Sequence, residues 1–246
     1  CDTEAAQVPV AGRPESDRWV LSVLNTVING VQKEMENFDP TRAGRLIEDF
    51  VNNDLSNWYV RLNRKRFWGK EMSQVKLAAY QTLYTCLTTV AKLLAPFAPF
   101  FADQLFCDLG AAQLEGTTSV HLAKFPVADE KLIDRELEER MGMAQKITSM
   151  VHALRKKVNI AVRQPLQAIM IPAVDDEQRR HIEAVKNLIL SEVNVKELRF
   201  VEGSGVLVKK VKCNFRTMGK KYGKLMKGIA AAMSALDQEQ IAQLET

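Results

Sequence analysis

The sequence predicts a mainly α-helical protein, in which a helical bundle is followed by a small α+β module. Two observations support this prediction. Apolar residues recur at steps of three and four through most of residues 16–109, which is the period of an amphipathic helix. After residue 165 the pattern changes to short apolar runs separated by turn residues, which is typical of strands. The chain has 246 residues, of which 46% are hydrophobic, so it is long enough for two modest domains.

Four helices are expected in the first domain, which we place at residues 1–122. The apolar spacing puts them at about 16–36, 40–68, 74–95 and 97–109. Ser16, Asp39 and Ser73 are the expected N-caps, and Pro40 takes the first helical position of the second helix. That helix is predicted to be long, with a bend near Asn52. Short turns between the helices favour a bundle.

The second domain is placed at residues 123–246. It is expected to begin with a long helix at about 130–157, after a linker in which Ser119–Leu122 forms a short extended segment. A strand at 166–171, a helix from 175 to about 190, and a hairpin of strands at 195–201 and 206–212 follow. Two short helices, at about 220–234 and 237–245, complete the module.

Composition excludes several classes of function. Four scattered cysteines and three isolated histidines form no zinc-binding spacing, so a structural metal site is not expected. No apolar run reaches the roughly 18 residues that a membrane span requires. The net charge of +4 is mild. The first residue is Cys1 rather than methionine, from which we expect a piece of a longer protein, and scattered cysteines favour a reducing, cytoplasmic compartment.

A basic, aromatic segment at residues 57–70 is the strongest functional signal. It carries five basic side chains, Arg61, Arg64, Lys65, Arg66 and Lys70. The first three are spaced so that they share one face of a helix, whereas Trp58 and Leu62 fall on another face. Guanidinium groups match phosphate oxygens, and a basic stripe on a rigid helix is typical of nucleic-acid binders. A solvated charged face with no ligand is the alternative.

Aromatic and amide residues of the same segment are further candidates. Trp68 is expected near a helix end and exposed, whereas Trp58 is expected in the core. Asn57 has the chemistry to read a base edge, or to cap a bend in the helix. A second basic cluster lies among the glycines of residues 219–228, which allow a backbone to approach phosphates closely. Its basic residues are Arg216, Lys220, Lys221, Lys224 and Lys227.

Several spaced motifs resemble a known family. They are Asp17-Arg18-Trp19, Leu55-Ser56-Asn57-Trp58-Tyr59-Val60-Arg61, Arg66-Phe67-Trp68, Leu94-Ala95-Pro96-Phe97-Ala98-Pro99-Phe100, Val162-Arg163-Gln164-Pro165 and Asn214-Phe215-Arg216-Thr217-Met218-Gly219-Lys220. Together they are similar to the tRNA anticodon-binding region of class I aminoacyl-tRNA synthetases for branched aliphatic amino acids, most of all the isoleucyl-tRNA synthetases. The resemblance covers residues 13–230 and corresponds to a C-terminal fragment.

The resemblance implies a function that composition alone does not. The helical domain would bind the anticodon stem-loop of tRNA(Ile), and the parent protein would attach isoleucine to that tRNA with ATP and Mg. The catalytic and editing domains would lie elsewhere in the same chain, so this piece is expected to bind no cofactor and to be inactive alone. The expected tRNA-binding residues are Asn57, Arg61, Arg64, Lys65, Arg66, Trp68, Lys70, Arg216, Lys220, Lys221 and Lys224.

Two alternatives share the same helical pattern. The corresponding domain of a valyl- or leucyl-tRNA synthetase would have the same fold and prefer a different anticodon. A helical protein-interaction scaffold would show the same amphipathic helices, but it would have no need of arginines clustered beside tryptophan.

Overall fold

A computed structural model of the chain describes residues 7–172, 176–201 and 223–234. The chain divides into two units, Cys1–Met150 and Val151–Thr246, and each is described here by itself. Helices dominate both units, which confirms the predicted mainly α class. Among the helices of the described residues, none combines the length and the apolar character that a membrane span requires.

The first unit is a helical bundle, as predicted. Its helices are α1 (Glu15–Glu36), α2 (Pro40–Asp49), a π-helix (Phe50–Val60), α3 (Arg64–Trp68), α4 (Gln74–Leu94), α5 (Pro99–Asp108) and α6 (Ala111–Leu114). Two predicted caps are confirmed, because Asp39 Oδ1 accepts from Arg42 N at 3.0 Å and Ser73 Oγ accepts from Lys76 N at 3.2 Å. Ser16 is not a cap, since α1 already begins at Glu15.

The core of this unit lies around α1. Trp19, Leu24 and Ile28 of α1 are almost fully buried, as are Phe50 and Tyr59 of the π-helix. A second cluster, centred on Phe106, lies under α5 and α6. The apolar stripe that predicted each helix is therefore also the surface by which the helices pack together.

The predicted long helix at 40–68 is correct in extent but not in regularity. It is interrupted twice, by the π-helix at Phe50–Val60 and by a turn at Asn63. Asn63 Nδ2 donates to Tyr59 O at 2.9 Å, and Asn63 N donates to the same oxygen at 3.1 Å. An asparagine side chain that bonds to the backbone in this way competes with regular helical bonding, so α3 starts as a separate short helix.

Residues 119–134 differ from the predictions. The expected extended segment Ser119–Leu122 was wrong, since Val120–Leu122 forms a 3₁₀ turn. Asp103 holds this turn, because its Oδ1 accepts from Ser119 Oγ at 2.7 Å and from Val120 N at 2.9 Å. A second 3₁₀ turn, Glu130–Leu132, precedes α7 (Arg135–Lys157), which Asp134 caps at Leu137 N.

The first part of α7 packs against α1. Glu138 Oε1 accepts from Ser22 Oγ at 2.6 Å and from Thr26 Oγ1 at 2.8 Å. Asn25 Oδ1 accepts from Asp129 N at 2.7 Å. These contacts place residues 123–150 in the first unit, so the division of the chain falls within α7 and differs from the predicted boundary at residue 122.

The second unit contains two parallel strands joined by helices. Strand β1 (Leu166–Pro172) pairs with β2 (Val195–Val201) in the register Leu166↔Val195. The connection carries α8 (Asp176–Ala184) and α9 (Lys186–Val193), so the one helix expected there is divided at Val185. A parallel pair requires such a crossover. A later helix, α10 (Met226–Ser234), is described, whereas the predicted strand at 206–212 and helix at 237–245 lie outside the described residues.

Candidate nucleic-acid interface

A buried ion pair fixes α3 against the start of α1. Asp17 is 0% exposed, and its carboxylate receives Arg66 Nη1 at 2.7 Å and Nη2 at 2.8 Å. Tyr59 Oη donates to Asp17 Oδ1 at 3.0 Å, and Arg66 Nη1 also donates to Asn63 Oδ1 at 2.7 Å. Two parallel charged hydrogen bonds fix the guanidinium plane as well as its position. The backbone that carries the neighbouring basic residues is therefore held rigidly.

The guanidinium of Arg66 is thus bound within the protein, whereas a residue that contacts RNA was expected at this position. Both of its terminal nitrogens bond inside the protein, and Nη2 additionally donates to Val75 O at 2.7 Å. The same bond ties α3 to the start of α4. We therefore treat Arg66 as a residue that positions the site and do not include it among the RNA contacts proposed below.

The other basic residues of the segment point outward. Arg61, Arg64, Lys65 and Lys70 are all exposed. The guanidinium of Arg64 lies over the ring of Trp68 at 5.1 Å, and that of Arg61 lies over Trp58 at 5.7 Å. The guanidinium of Arg64, stacked on the exposed ring of Trp68, keeps its outer edge available for hydrogen bonds. We call the exposed residues Arg61, Arg64 and Lys65 the cationic surface; Arg64 and Lys65 lie on α3, which the Asp17–Arg66 pair fixes.

The aromatic residues divide between core and surface as the spacing predicts. Trp58 is buried, and Trp68 at the end of α3 is 75% exposed. Tyr59 is also buried, and burial together with the adjacent Asp17 raises its pKa far above the ordinary value, so its hydroxyl stays a donor. Asn57 is exposed on the π-helix.

The second predicted cluster is mostly outside the described residues. Arg216, Lys220 and Lys221 lie there, and Lys224 is described only as part of the backbone turn Gly223–Leu225. Binding by these four residues stays a prediction. Among residues 7–172, 176–201 and 223–234, no group of three or more His, Cys, Asp or Glu side chains is placed to hold a metal ion.

Sequence reasoning missed the hydrogen-bonding roles of two aspartates in this region. Asp17 appears in the sequence analysis only within the Asp17-Arg18-Trp19 motif, yet it is the buried partner of Arg66. Asp54 lies on the π-helix, where its Oδ1 accepts from Gln145 Nε2 at 2.9 Å. The only signal for Asp17 was its place in the Asp-Arg-Trp motif, since spacing cannot pair residues 49 positions apart.

Asp54 gives a prediction about pH. Burial raises the pKa of Asp54 above its ordinary value, so the folded chain keeps this proton to higher pH than the unfolded chain does. Stability therefore falls as pH rises from the unfolded pKa through the folded one, and the full penalty remains above it. We expect Asp54→Asn, which keeps an acceptor for Gln145, to raise the free energy of unfolding at pH 7 by up to about 1 kcal/mol. Denaturant titrations at neutral and at acidic pH measure this.

The control for Asp54 is Glu48→Gln, which removes an exposed carboxylate from α2. It should leave the free energy of unfolding nearly unchanged at both pH values. The gain from Asp54→Asn should vanish at acidic pH, where Asp54 is protonated. An equal gain at both pH values would contradict burial of charge as the cause.

Comparison with known proteins decides the family. Residues 17–170 match the model of the anticodon-binding domain of tRNA ligase, which is more than half of the chain. The chain belongs to this family. The matched region begins at Asp17 and includes the whole cationic surface and β1 through Met170, so the buried ion pair and the basic residues are parts of one anticodon-binding domain.

Curated relatives are similar along nearly the whole chain. An isoleucine–tRNA ligase of Bacteroides thetaiotaomicron is 64% identical over 98% of this chain and 21% of its own length. The isoleucine–tRNA ligase of Porphyromonas gingivalis is 58% identical over 98% of this chain and 21% of its own length. The isoleucine–tRNA ligase of Clostridium novyi is 38% identical over 92% of this chain and 22% of its own length. The chain therefore spans about a fifth of the length of the curated relatives it matches.

Proposed function

We propose that the first unit binds the anticodon arm of tRNA(Ile) as part of an isoleucine–tRNA ligase. The observation that carries the proposal is the cationic surface of Arg61, Arg64 and Lys65, which is exposed on a backbone fixed by the Asp17–Arg66 pair. Phosphates of an RNA backbone are the ligand that such a surface fits. Lys70, Trp68 and Asn57 are exposed nearby and are proposed to extend the contact.

Isoleucine is favoured over valine and leucine because the relatives reported above are named isoleucine–tRNA ligases. In the proposed parent protein, an active site outside this chain joins isoleucine to the tRNA with ATP and Mg, in the cytoplasm. This chain is proposed to have no ligase activity alone. Reading the anticodon at a distance from the reacting end supplies specificity and orientation to the reaction.

The test is tRNA binding across a salt series. The logarithm of affinity should fall linearly with the logarithm of salt concentration, since bound phosphates release their counterions. Arg64→Ala should weaken binding of tRNA(Ile) by about 1 kcal/mol, or about fivefold, and reduce the salt slope by about one unit. Filter binding measures both quantities.

Two comparisons make this test specific. Arg180→Ala removes an exposed arginine from α8 in the second unit, and it should leave affinity and slope unchanged. Parallel titrations with tRNA(Val) and tRNA(Leu) separate the isoleucine assignment from its alternatives. Binding by Arg64→Ala equal to that of the parent at every salt concentration would overturn the assignment of this surface.

A further inference from the structure

The cationic surface continues into a row of uncharged polar residues. Exposed positions recur every four residues along the π-helix and α3, usually as adjacent pairs. We call them the polar strip, which comprises Asn52, Asn53, Ser56, Asn57, Arg61, Arg64 and Lys65. The first four carry amide or hydroxyl groups, and the last three are cationic. The strip therefore has an amide half and a cationic half.

The π-helix carries the amide half of the strip. In an α-helix with 3.6 residues per turn, positions spaced by four drift steadily around the axis. A π-helix winds more residues into each turn, so the same spacing drifts in the opposite sense. Within the π-helical segment Phe50–Val60 the spacing of four covers a single step, from Asn52 and Asn53 to Ser56 and Asn57, and Arg64 and Lys65 follow on α3 after the turn at Asn63. Leu55 and Trp58, which alternate with the strip residues along the π-helix, are buried.

Acidic residues bound the amide half and stay out of it. Glu48 and Asp49 are exposed just before the strip, where carboxylates repel phosphates. Asp49 Oδ1 accepts from Asn53 Nδ2 at 3.5 Å, which leaves the second amide hydrogen and the oxygen of Asn53 to a ligand. Asp54 turns away to Gln145. A ligand that spans the strip must thus present neutral polar groups at one end and anionic groups at the other.

The minor groove of an RNA stem has this combination. An A-form stem displays 2′-hydroxyls and base edges in a wide, shallow minor groove, and phosphates line the adjoining backbone. Amide side chains both donate and accept, so they fit hydroxyls and base edges. From Asn53 to Lys65 the strip is at most about 18 Å long at the α-helical rise, enough to reach from the groove to the backbone.

We infer that the amide half of the polar strip, Asn53, Ser56 and Asn57, binds 2′-hydroxyls and base edges in the minor groove of the anticodon stem. The cationic half binds the phosphates beside that groove. This inference rests on the proposed function and adds the element of the RNA that the π-helix contacts, which is a paired stem and not the unpaired loop.

The test uses three hairpin RNAs with the sequence of the anticodon arm of tRNA(Ile). One is unmodified, one has 2′-fluoro riboses in the stem, and one has them in the loop. A 2′-fluoro ribose preserves A-form geometry but cannot donate a hydrogen bond. The parent chain should bind the stem-modified hairpin about 3- to 10-fold more weakly than the unmodified one, the range for losing a hydrogen bond. The loop-modified hairpin should bind as the unmodified one does.

Asn57→Ala should weaken binding of the unmodified hairpin about 3- to 10-fold and abolish the difference between it and the stem-modified hairpin. Its salt slope should equal that of the parent, whereas Arg64→Ala should lower the slope and keep the difference. Gln104→Ala, which removes an exposed amide from α5 of the same unit, is the matched control and should change neither quantity.

Three outcomes would overturn the inference. One is an Asn57→Ala chain that still distinguishes the unmodified from the stem-modified hairpin. Another is weaker binding of the loop-modified hairpin, with the stem-modified hairpin bound as tightly as the unmodified one. In both cases a reduced salt slope for Arg64→Ala would leave the proposed function standing. Absence of salt-dependent binding by the parent chain to hairpin and complete tRNA alike would overturn the inference and the proposed function together.

Discussion

Arg66→Ala is expected to lower the free energy of unfolding of the first unit by about 3–5 kcal/mol, the range for breaking a buried ion pair at one partner. Asp17 is 0% exposed, and Arg66 satisfies both of its oxygens at 2.7 and 2.8 Å. Without the guanidinium, the carboxylate keeps only the hydroxyl bond from Tyr59 and weaker neighbours. Most of the loss is thus the penalty of an uncompensated buried charge.

Matched variants separate this effect from loss of an arginine as such. Arg64→Ala removes an exposed guanidinium two residues away and should cost within about 0.5 kcal/mol. The double variant Asp17→Asn with Arg66→Ala should be less destabilised than the sum of the single variants, because no charge is left buried. Urea titration of each variant measures the differences. If Arg66→Ala lowered the free energy of unfolding no more than Arg64→Ala does, the Asp17–Arg66 pair would not stabilise the first unit as we describe.

Much of the bundle was predictable because local physics and packing agree there. In α1 and α4, the apolar stripe that marks a helix is also the face that becomes buried, and Asp39 and Ser73 cap helices where polar residues precede apolar runs. The burial of Trp58 followed from the same spacing, and the exposure of Trp68 followed from its place near a helix end. Such features depend on residues within a few positions of one another.

The features that sequence did not predict depend on distant residues. The interruption at Asn63 belongs to a network with Arg66, Tyr59 and Asp17, and no spacing rule connects position 17 to position 66. The π-helix at Phe50–Val60 carries no sequence mark of its own, since its residues also suit an α-helix. The 3₁₀ turn at Val120–Leu122 depends on Asp103 of α5. The basic residues were thus identifiable, but their rigid support was not.

The second unit is organised around one buried arginine. Arg155, in the last turn of α7, is 2% exposed. Its Nη1 donates to Ala161 O at 3.1 Å and to Gln164 O at 3.0 Å, and its Nη2 donates to Val193 O at 2.8 Å and to Asn194 O at 3.1 Å. These carbonyls lie just before β1 and β2, so a single side chain fixes where both strands begin.

We expect Arg155→Ala to lower the free energy of unfolding of the second unit by about 3–5 kcal/mol. Four carbonyls lose their charged donor, and an unsatisfied buried polar group costs about 1–3 kcal/mol. Release of the buried guanidinium into water offsets part of that sum. Arg155→Lys keeps the charge but loses the planar fork, so it should recover less than half of the loss.

The measurement must be local, because two units can unfold separately and a single transition would then average them. Hydrogen exchange at the backbone amides of residues 166–171 reports on β1 directly. Lys156→Ala changes the exposed neighbour of Arg155 and should leave these rates within a factor of about two. If hydrogen exchange in β1 were as slow in Arg155→Ala as in Lys156→Ala, the pairing of the strands alone would position them. Arg155 would then bind the four carbonyls without stabilising the strands.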